Sequence, residues 1–277
     1  MSDNYKGWIL RGHLLERVNS IQDADAYNPN WVLWHAGNKD FSVKAKHLRR
    51  IISKLPVRTI IDVGCASGVL VDMLNRTGKY EATGVDKSES SISYANSHAR
   101  GTFYRADIED FKSDRTYSLV ILMHLLEHCY QPQKVLRNVR EYVPVGGYIY
   151  VSVPNLLSWD EHSFWRRSLA STIFADEHLV AFSPSALVST LNDSGWEVAK
   201  VLTKTHFHVF LENFIKGLYR QNKKVHEYVG PLVNNSPGRL LENIVHSPLR
   251  YLVCLNAYLS QRHNRGAELI VLAKRIE

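Results

Sequence analysis

The sequence predicts an α/β fold on a mostly parallel sheet, and three observations predict it. Short apolar runs recur at 60–63, 117–123 and 148–153, too apolar on both faces for strands that meet water. Stretches with apolar residues at helical spacing lie between such runs, and strands alternating with helices imply parallel neighbours. The first run breaks into Gly64-Cys65-Ala66-Ser67-Gly68 and re-enters a helical pattern at Val69, Leu70, Met73 and Leu74.

A chain of 277 residues suffices for one large α/β domain, or one with an appended subdomain. With 45% hydrophobic and 22% charged residues and no repeat, its composition excludes disordered and fibrous classes. The net charge of +7 permits an anionic partner, but no dense basic run concentrates it, so a solvated basic surface is the simpler reading and no DNA partner is expected. Cys65, Cys129 and Cys254 are far apart and form no C-x-x-C pair, so neither a disulfide nor a structural zinc is expected. Residues 1–20 lack a signal-peptide core, and no apolar stretch reaches the ~18 residues of a membrane span. Together these features predict a cytoplasmic location.

Residues 1–40 are irregular and aromatic, with Trp8, Trp31 and Trp34, and read either as a lid or as a segment pinned to the core by its tryptophans. Over 41–55, Val43, Leu48, Ile51, Ile52 and Leu55 predict an amphipathic helix that Pro56 ends. The glycine turn leads into a helix over about 69–77. A second strand over 80–85 closes on Asp86, and a helix over 88–100 follows with Ile92 and Ala95 inward. Residues 101–104 form a third strand ahead of Arg105-Ala106-Asp107-Ile108. The fourth strand, 117–123, runs directly into His124-Leu125-Leu126-Glu127-His128. A helix from Pro132 to Tyr142 and a turn at 144–147 precede the fifth strand, 148–153. A long connection with Trp159, Phe164 and Trp165 then leads to 176–184, a helix to Ser194, a strand over 196–203 and a last strand over 267–274. Residues 205–266 show helical spacing on two faces. They read as an insertion whose Lys216, Arg220, Lys223 and Lys224 either face a membrane surface or an anionic substrate, or stay solvated.

Ligands of α/β sheets sit beyond the carboxyl ends of the strands, where glycines admit close backbone approach and a helix start offers N–H donors. Position 66 is Ala, so the loop is not G-x-G-x-x-G, and no G-K-[ST] follows. Asp86, 24 positions after Asp62 at a strand end, is placed to accept two ribose hydroxyls. The string Asp62-Val63-Gly64-Cys65-Ala66-Ser67-Gly68 resembles the D-x-G-x-x-x-G signature of class I S-adenosylmethionine-dependent methyltransferases. Gly84-Val85-Asp86, Asp107-Ile108, Leu126-Glu127-His128 with Pro132, and Val143-Pro144-Val145-Gly146-Gly147 extend the resemblance over 58–154. They point to the subgroup that holds quinone and sugar O-methyltransferases.

The resemblance implies a Rossmann-like seven-stranded sheet, mostly parallel with the last strand antiparallel, and a helical insertion where compact members have a short turn. The implied domains are an N-terminal lid and helix (1–57), a core (58–204), the insertion (205–266) and the last core strand (267–277). The implied cofactor is S-adenosylmethionine, held by Asp62, Gly64, Cys65, Ala66, Gly68, Asp86, Lys87 and Met123. Asp107 would accept from the adenine amino group and Ile108 would pack on the ring.

Methyl transfer to oxygen needs alignment and a proton acceptor. His128, just past the fourth strand, is the first candidate base and His178 the second, although either fits a capping or bracing role. His124-x-x-Glu127-His128 has the spacing of a metal motif on a helix, but the preceding strand places it in a turn. Some quinone and RNA methyltransferases bind a divalent ion through Glu-x-x-Glu-His. Here His124 replaces the first acid, so no metal is expected. The expected activity is O-methylation of a sugar, glycan precursor or other small polar acceptor. A phenolic, quinone-type or RNA-end methyltransferase is the alternative. A non-catalytic cofactor-binding partner subunit is the rival of another class, and the intact loop together with His128 speaks against it.

Overall fold

A computed structural model describes residues 8–10, 36–37, 39–158, 178–205, 259 and 263–277. Helix α1 (Lys39–Ile52) precedes strand β2 (Thr59–Val63), and strand β1 (Trp8–Leu10) lies ahead of both. Then come α2 (Val69–Asn75), β3 (Glu81–Asp86), α3 (Glu89–His98), β4 (Thr102–Arg105) and β5 (Leu119–Met123). A 3-10 turn, Leu126–His128, leads to α4 (Pro132–Arg140), β6 (Tyr148–Pro154), β7 (Val180–Phe182), α5 (Pro184–Asn192), β8 (Trp196–Lys204) and β9 (Glu268–Arg275).

Seven strands form one sheet in the order β4-β3-β2-β5-β6-β9-β8. The first five are mutually parallel, with Asp62 paired to Gly84 on one side and Ile121 on the other. Strand β9 enters antiparallel. Arg275 N donates to Gly147 O at the start of β6, while Asn155 N at its end donates to Ala267 O. The predicted seven-stranded sheet is therefore present, antiparallel strand included. Every residue of β5 is buried, as both covered faces of a central strand require. Strands β2 and β5 lie side by side, yet the chain leaves them in opposite directions, toward β3 and toward β6. That divergence opens the crevice in which α/β folds bind ligands.

The helices follow local rules. Ala45, Leu48 and Ile52 put one stripe of α1 into the core. Ser88 caps α3 by accepting from Ser91 N, and Ser183 caps α5 by accepting from Ala186 N ahead of Pro184. Helix α1 stops at Ile52 rather than reaching Leu55. The last residues close in turns because the residue before Pro56 is driven out of the helical region.

One expectation fails at the N-terminus. Strand β1 pairs antiparallel with β7, Ile9 opposite Ala181, in a separate two-stranded sheet. The sequence reading took 1–40 as irregular and assigned no strand within 176–184, since three-residue strands are too short to show a period.

The chain divides into two compact units, one of residues 1–153, 176–201 and 270–277, the other of 154–175 and 202–269. In the second, buried Asn155 donates from Nδ2 to Gly266 O at 2.8 Å, and Gly266 N donates to Thr203 Oγ1. Most of residues 1–40, read as a lid or a pinned segment, the connection at 159–177 and almost all of the helical insertion lie outside the described residues. Among the described residues no helix is long and apolar enough to cross a membrane.

Candidate active site

The first half of the site is the loop between β2 and α2. Gly64 and Gly68 both take left-handed φ, +79° and +75°. Gly64 N and Cys65 N donate to Val85 O, which ties the loop to the end of β3. Ala66 is also left-handed, at φ +45°, a conformation that costs a residue with a Cβ about 1–2 kcal/mol. Its N–H donates to Asp86 Oδ2 at 2.9 Å and offsets that strain. Ser88 N takes Asp86 Oδ1 at 2.9 Å, so each oxygen keeps a lone pair for a further donor.

Not every glycine faces a ligand. A Cβ on Gly68 would stand 2.8 Å from Phe103 and 2.9 Å from Ala95, so this glycine lets α2 close on its neighbours. Gly84 does the same for β3, with Phe103 and Cys65 Sγ both within 2.7 Å of the missing Cβ.

The loop floor is acidic. Burial, with the Asp86 charge second, pushes the Asp62 carboxyl up to about 7. Burial also raises Asp86, against the opposing effect of its backbone N–H donors and Lys87. Two carboxyl groups under a glycine loop repel a pyrophosphate. They suit a ribose diol and a cationic amino-acid tail, so the donor set fits S-adenosylmethionine. Ala106 N donates to Asp86 O, which brings exposed Asp107 and half-buried Ile108 alongside β3. Met123 is buried at the end of β5, Lys87 is exposed, and burial raises the Cys65 thiol far enough to leave it inert.

The second half is the turn after β5. His124 has φ +53°, and its N–H donates to Ser152 O. Leu125 points at the glycine loop, and a Cβ on Gly64 would lie 3.0 Å from its Cδ1. Glu127 is buried, and its carbonyl accepts from Leu179 N at 2.8 Å, which docks the segment carrying His178 on the turn. The two candidate bases, fifty positions apart, meet there. The rings of His128 and His178 lie edge to face, centroids 4.7 Å apart.

Glu127 belongs to the same cluster, with one ligand atom from each of the three residues within 4.8 Å of the others. That spacing is close enough to share one divalent ion. The set differs from the one posed by the sequence, because the ring nitrogens of His124 are engaged by Lys44 and Glu127. Glu127 Oε1 accepts from His124 Nδ1 at 3.1 Å. Burial alone would raise Glu127, but the His124 hydrogen bond and the neighbouring histidine charges outweigh it and hold the carboxyl below its usual range. Lys44 went unread in the sequence, as nothing in its helical stripe marks it as part of a site.

Over 38–201, more than half of its length, the sequence matches the family described as methyltransferase domain. The chain belongs to that family. The cofactor of this family is S-adenosylmethionine, and the glycine loop is the candidate site for it. An S-adenosylmethionine-dependent methyltransferase from Thermotoga maritima, described as a possible histamine N-methyltransferase, superposes with a TM-score of 0.54 at 14% identity, covering 95% of this chain and 99% of that one. The [4+2]-cyclase SpnF superposes equally well, 0.54 at 15% identity over 84% of this chain and 80% of its own, so the shared fold alone does not decide the chemistry. Among sequence relatives, the ubiquinone biosynthesis O-methyltransferase of Coxiella burnetii is 33% identical over 119 residues, 41% of this chain and 50% of that protein. The protein of the same name from Bordetella avium is 26% identical over 168 residues, 56% and 68% of the respective chains. The chain thus spans about half the length of the Coxiella relative.

Proposed function

We propose that the protein is an S-adenosylmethionine-dependent O-methyltransferase whose acceptor is a phenolic hydroxyl of the quinone-precursor kind. One observation carries the reading: two imidazoles over a buried carboxylate, on a turn whose Leu125 stands against the cofactor loop. S-adenosylmethionine supplies an electrophilic methyl on a sulfonium. The protein aligns the acceptor oxygen with it and removes the acceptor's proton. His128 takes that proton, His178 supports it edge-on, and the Glu127 carboxylate stabilises the imidazolium that forms. A phenol, with a pKa of about 10 as in tyrosine, is within reach of an imidazole base. The names of the sequence relatives support this acceptor over the sugar hydroxyl that the sequence reading placed first.

The test is transfer of labelled methyl to a panel of catechols, polyprenyl hydroxybenzoates and free sugars. Methylation of catechols but not sugars is expected, and the reverse would restore the sugar reading. His128→Gln should lower kcat by about 10²–10⁴-fold with cofactor affinity unchanged. A large defect in His178→Gln instead would exchange the two roles. Loss of activity on dialysis against EDTA, restored by Mg²⁺ or Mn²⁺, would replace proton transfer by metal activation. Cofactor binding without transfer to any acceptor would favour a non-catalytic partner subunit.

A further inference from the structure

The geometry points to Lys44 and His124 as positioning residues that orient the Glu127 carboxylate for the His128–His178 pair. This rests on the reading of that pair as the proton-accepting centre. Lys44 lies on α1 beside buried Ala45 and Leu48, and its Nζ reaches His124 Nε2 at 3.0 Å across eighty positions of sequence. An ammonium has only donors, and lysine is far more basic than imidazole, so the proton in this bond stays on lysine. His124 Nε2 must then accept, which places the ring proton on Nδ1. That nitrogen faces Glu127 Oε1 at 3.1 Å and donates to it.

The ring is aimed by an unusual backbone. His124 sits in the left-handed region at φ +53°, where its N–H is held by Ser152 O. The turn places one imidazole between Lys44 of α1 and Glu127, while His128 faces His178. With Oε1 engaged by His124, Glu127 Oε2 is buried and has no hydrogen-bond partner among the described residues. The chain Lys44 to His124 to Glu127 thus fixes the carboxylate about its last torsion and leaves the second oxygen for the centre. A lysine in contact with Nε2 also excludes the tautomer that would turn a lone pair, instead of a proton, toward the carboxylate.

The test uses the full-length protein labelled with ¹⁵N-histidine. Long-range ¹H–¹⁵N correlations, assigned with His124→Asn, His128→Gln and His178→Gln, report the protonation of each ring nitrogen. His124 is expected as the Nδ1–H tautomer, which Lys44→Met should convert to a mixture while shifting the His128 and His178 ring signals. Lys44→Arg, which keeps the donor, should retain the wild-type pattern. In assays with a catechol acceptor, Lys44→Met should lower kcat about ten- to a hundredfold while the affinity for S-adenosylmethionine stays unchanged. An Nε2–H tautomer of His124 in the wild-type protein overturns the proposal, and so do unmoved His128 and His178 signals in a folded Lys44→Met variant. A catechol left unmethylated by the wild-type protein would count against the proposed function instead, since the tautomer readout needs no turnover.

Discussion

At the scale of single residues, the two acids of the cofactor loop have different fates. Asp86 offers its remaining lone pairs to a ligand from a carboxylate already fixed by Ala66 N and Ser88 N. Asp86→Ala should weaken S-adenosylmethionine binding by about 1.5–3 kcal/mol in titration calorimetry, the range for hydrogen bonds to a charged group. An unaltered affinity would remove Asp86 from the cofactor site. Asp62 is buried beneath the loop and titrates near 7 when folded, against 3.8 for an ordinary aspartate. Between those values the native chain holds a proton that the unfolded chain has released. The contribution of this group therefore falls as pH rises through the window, and its full penalty, on the order of a few kcal/mol, stands above it. Asp62→Asn should raise the urea midpoint at pH 8 and barely change it at pH 4. Equal shifts at both pH values would show that Asp62 is not carrying this burden. The same variant should bind cofactor more weakly, a conflict between stability and function of the kind that ligand sites accept.

At the scale of elements, the site depends on how closely β3, β4 and α2 approach one another. Gly84 leaves no room for a side chain, with Phe103 2.6 Å and Cys65 Sγ 2.7 Å from where a Cβ would be. Gly84→Ala should cost about 1–3 kcal/mol of stability in denaturant unfolding, the usual range for overpacking. Its effect should reach the cofactor as well, because Cys65 belongs to the loop. If Gly84→Ala left the denaturation midpoint in place, β3 and the loop would have more slack than these distances allow. The turn after β5 is likewise braced from several elements: Ser152 of β6 holds its start, Leu179 ahead of β7 holds Glu127, and Lys44 of α1 holds His124. A strand end fastened on three sides keeps two imidazoles in register, which a free loop would not do.

At the scale of the whole molecule, the candidate cofactor groups named above all precede residue 155, ahead of the long stretch between β8 and β9. Its two ends are joined, since Gly266 N donates to Thr203 Oγ1 and Ala267 N to Thr205 Oγ1. A short connection can therefore close the gap without moving either strand. Replacing the residues between Thr205 and Arg265 by a short turn should leave S-adenosylmethionine affinity within about twofold, since none of the candidate cofactor groups is removed. Calorimetry on the folded variant checks this, and lost affinity would mean that the stretch contributes to the cofactor site after all.

The sequence by itself determined the alternation of strands and helices, the cofactor loop, and the spacing from Asp62 to Asp86. These are local patterns: a buried parallel strand must be apolar, a close approach needs glycine, and an acid at a strand end faces the ligand side. It also placed His128 and His178 among the candidates by their positions after the fourth and fifth strands. Only the tertiary structure decided that these two rings meet beside Glu127 and that His124 lies between Lys44 and that carboxylate. The pairing of β1 with β7 belongs to the same group. The His128–His178, Lys44–His124 and β1–β7 contacts join residues tens to more than a hundred positions apart. No periodicity or spacing in the chain encodes their distance, which is settled only when the sheet order brings separate strand ends to one edge.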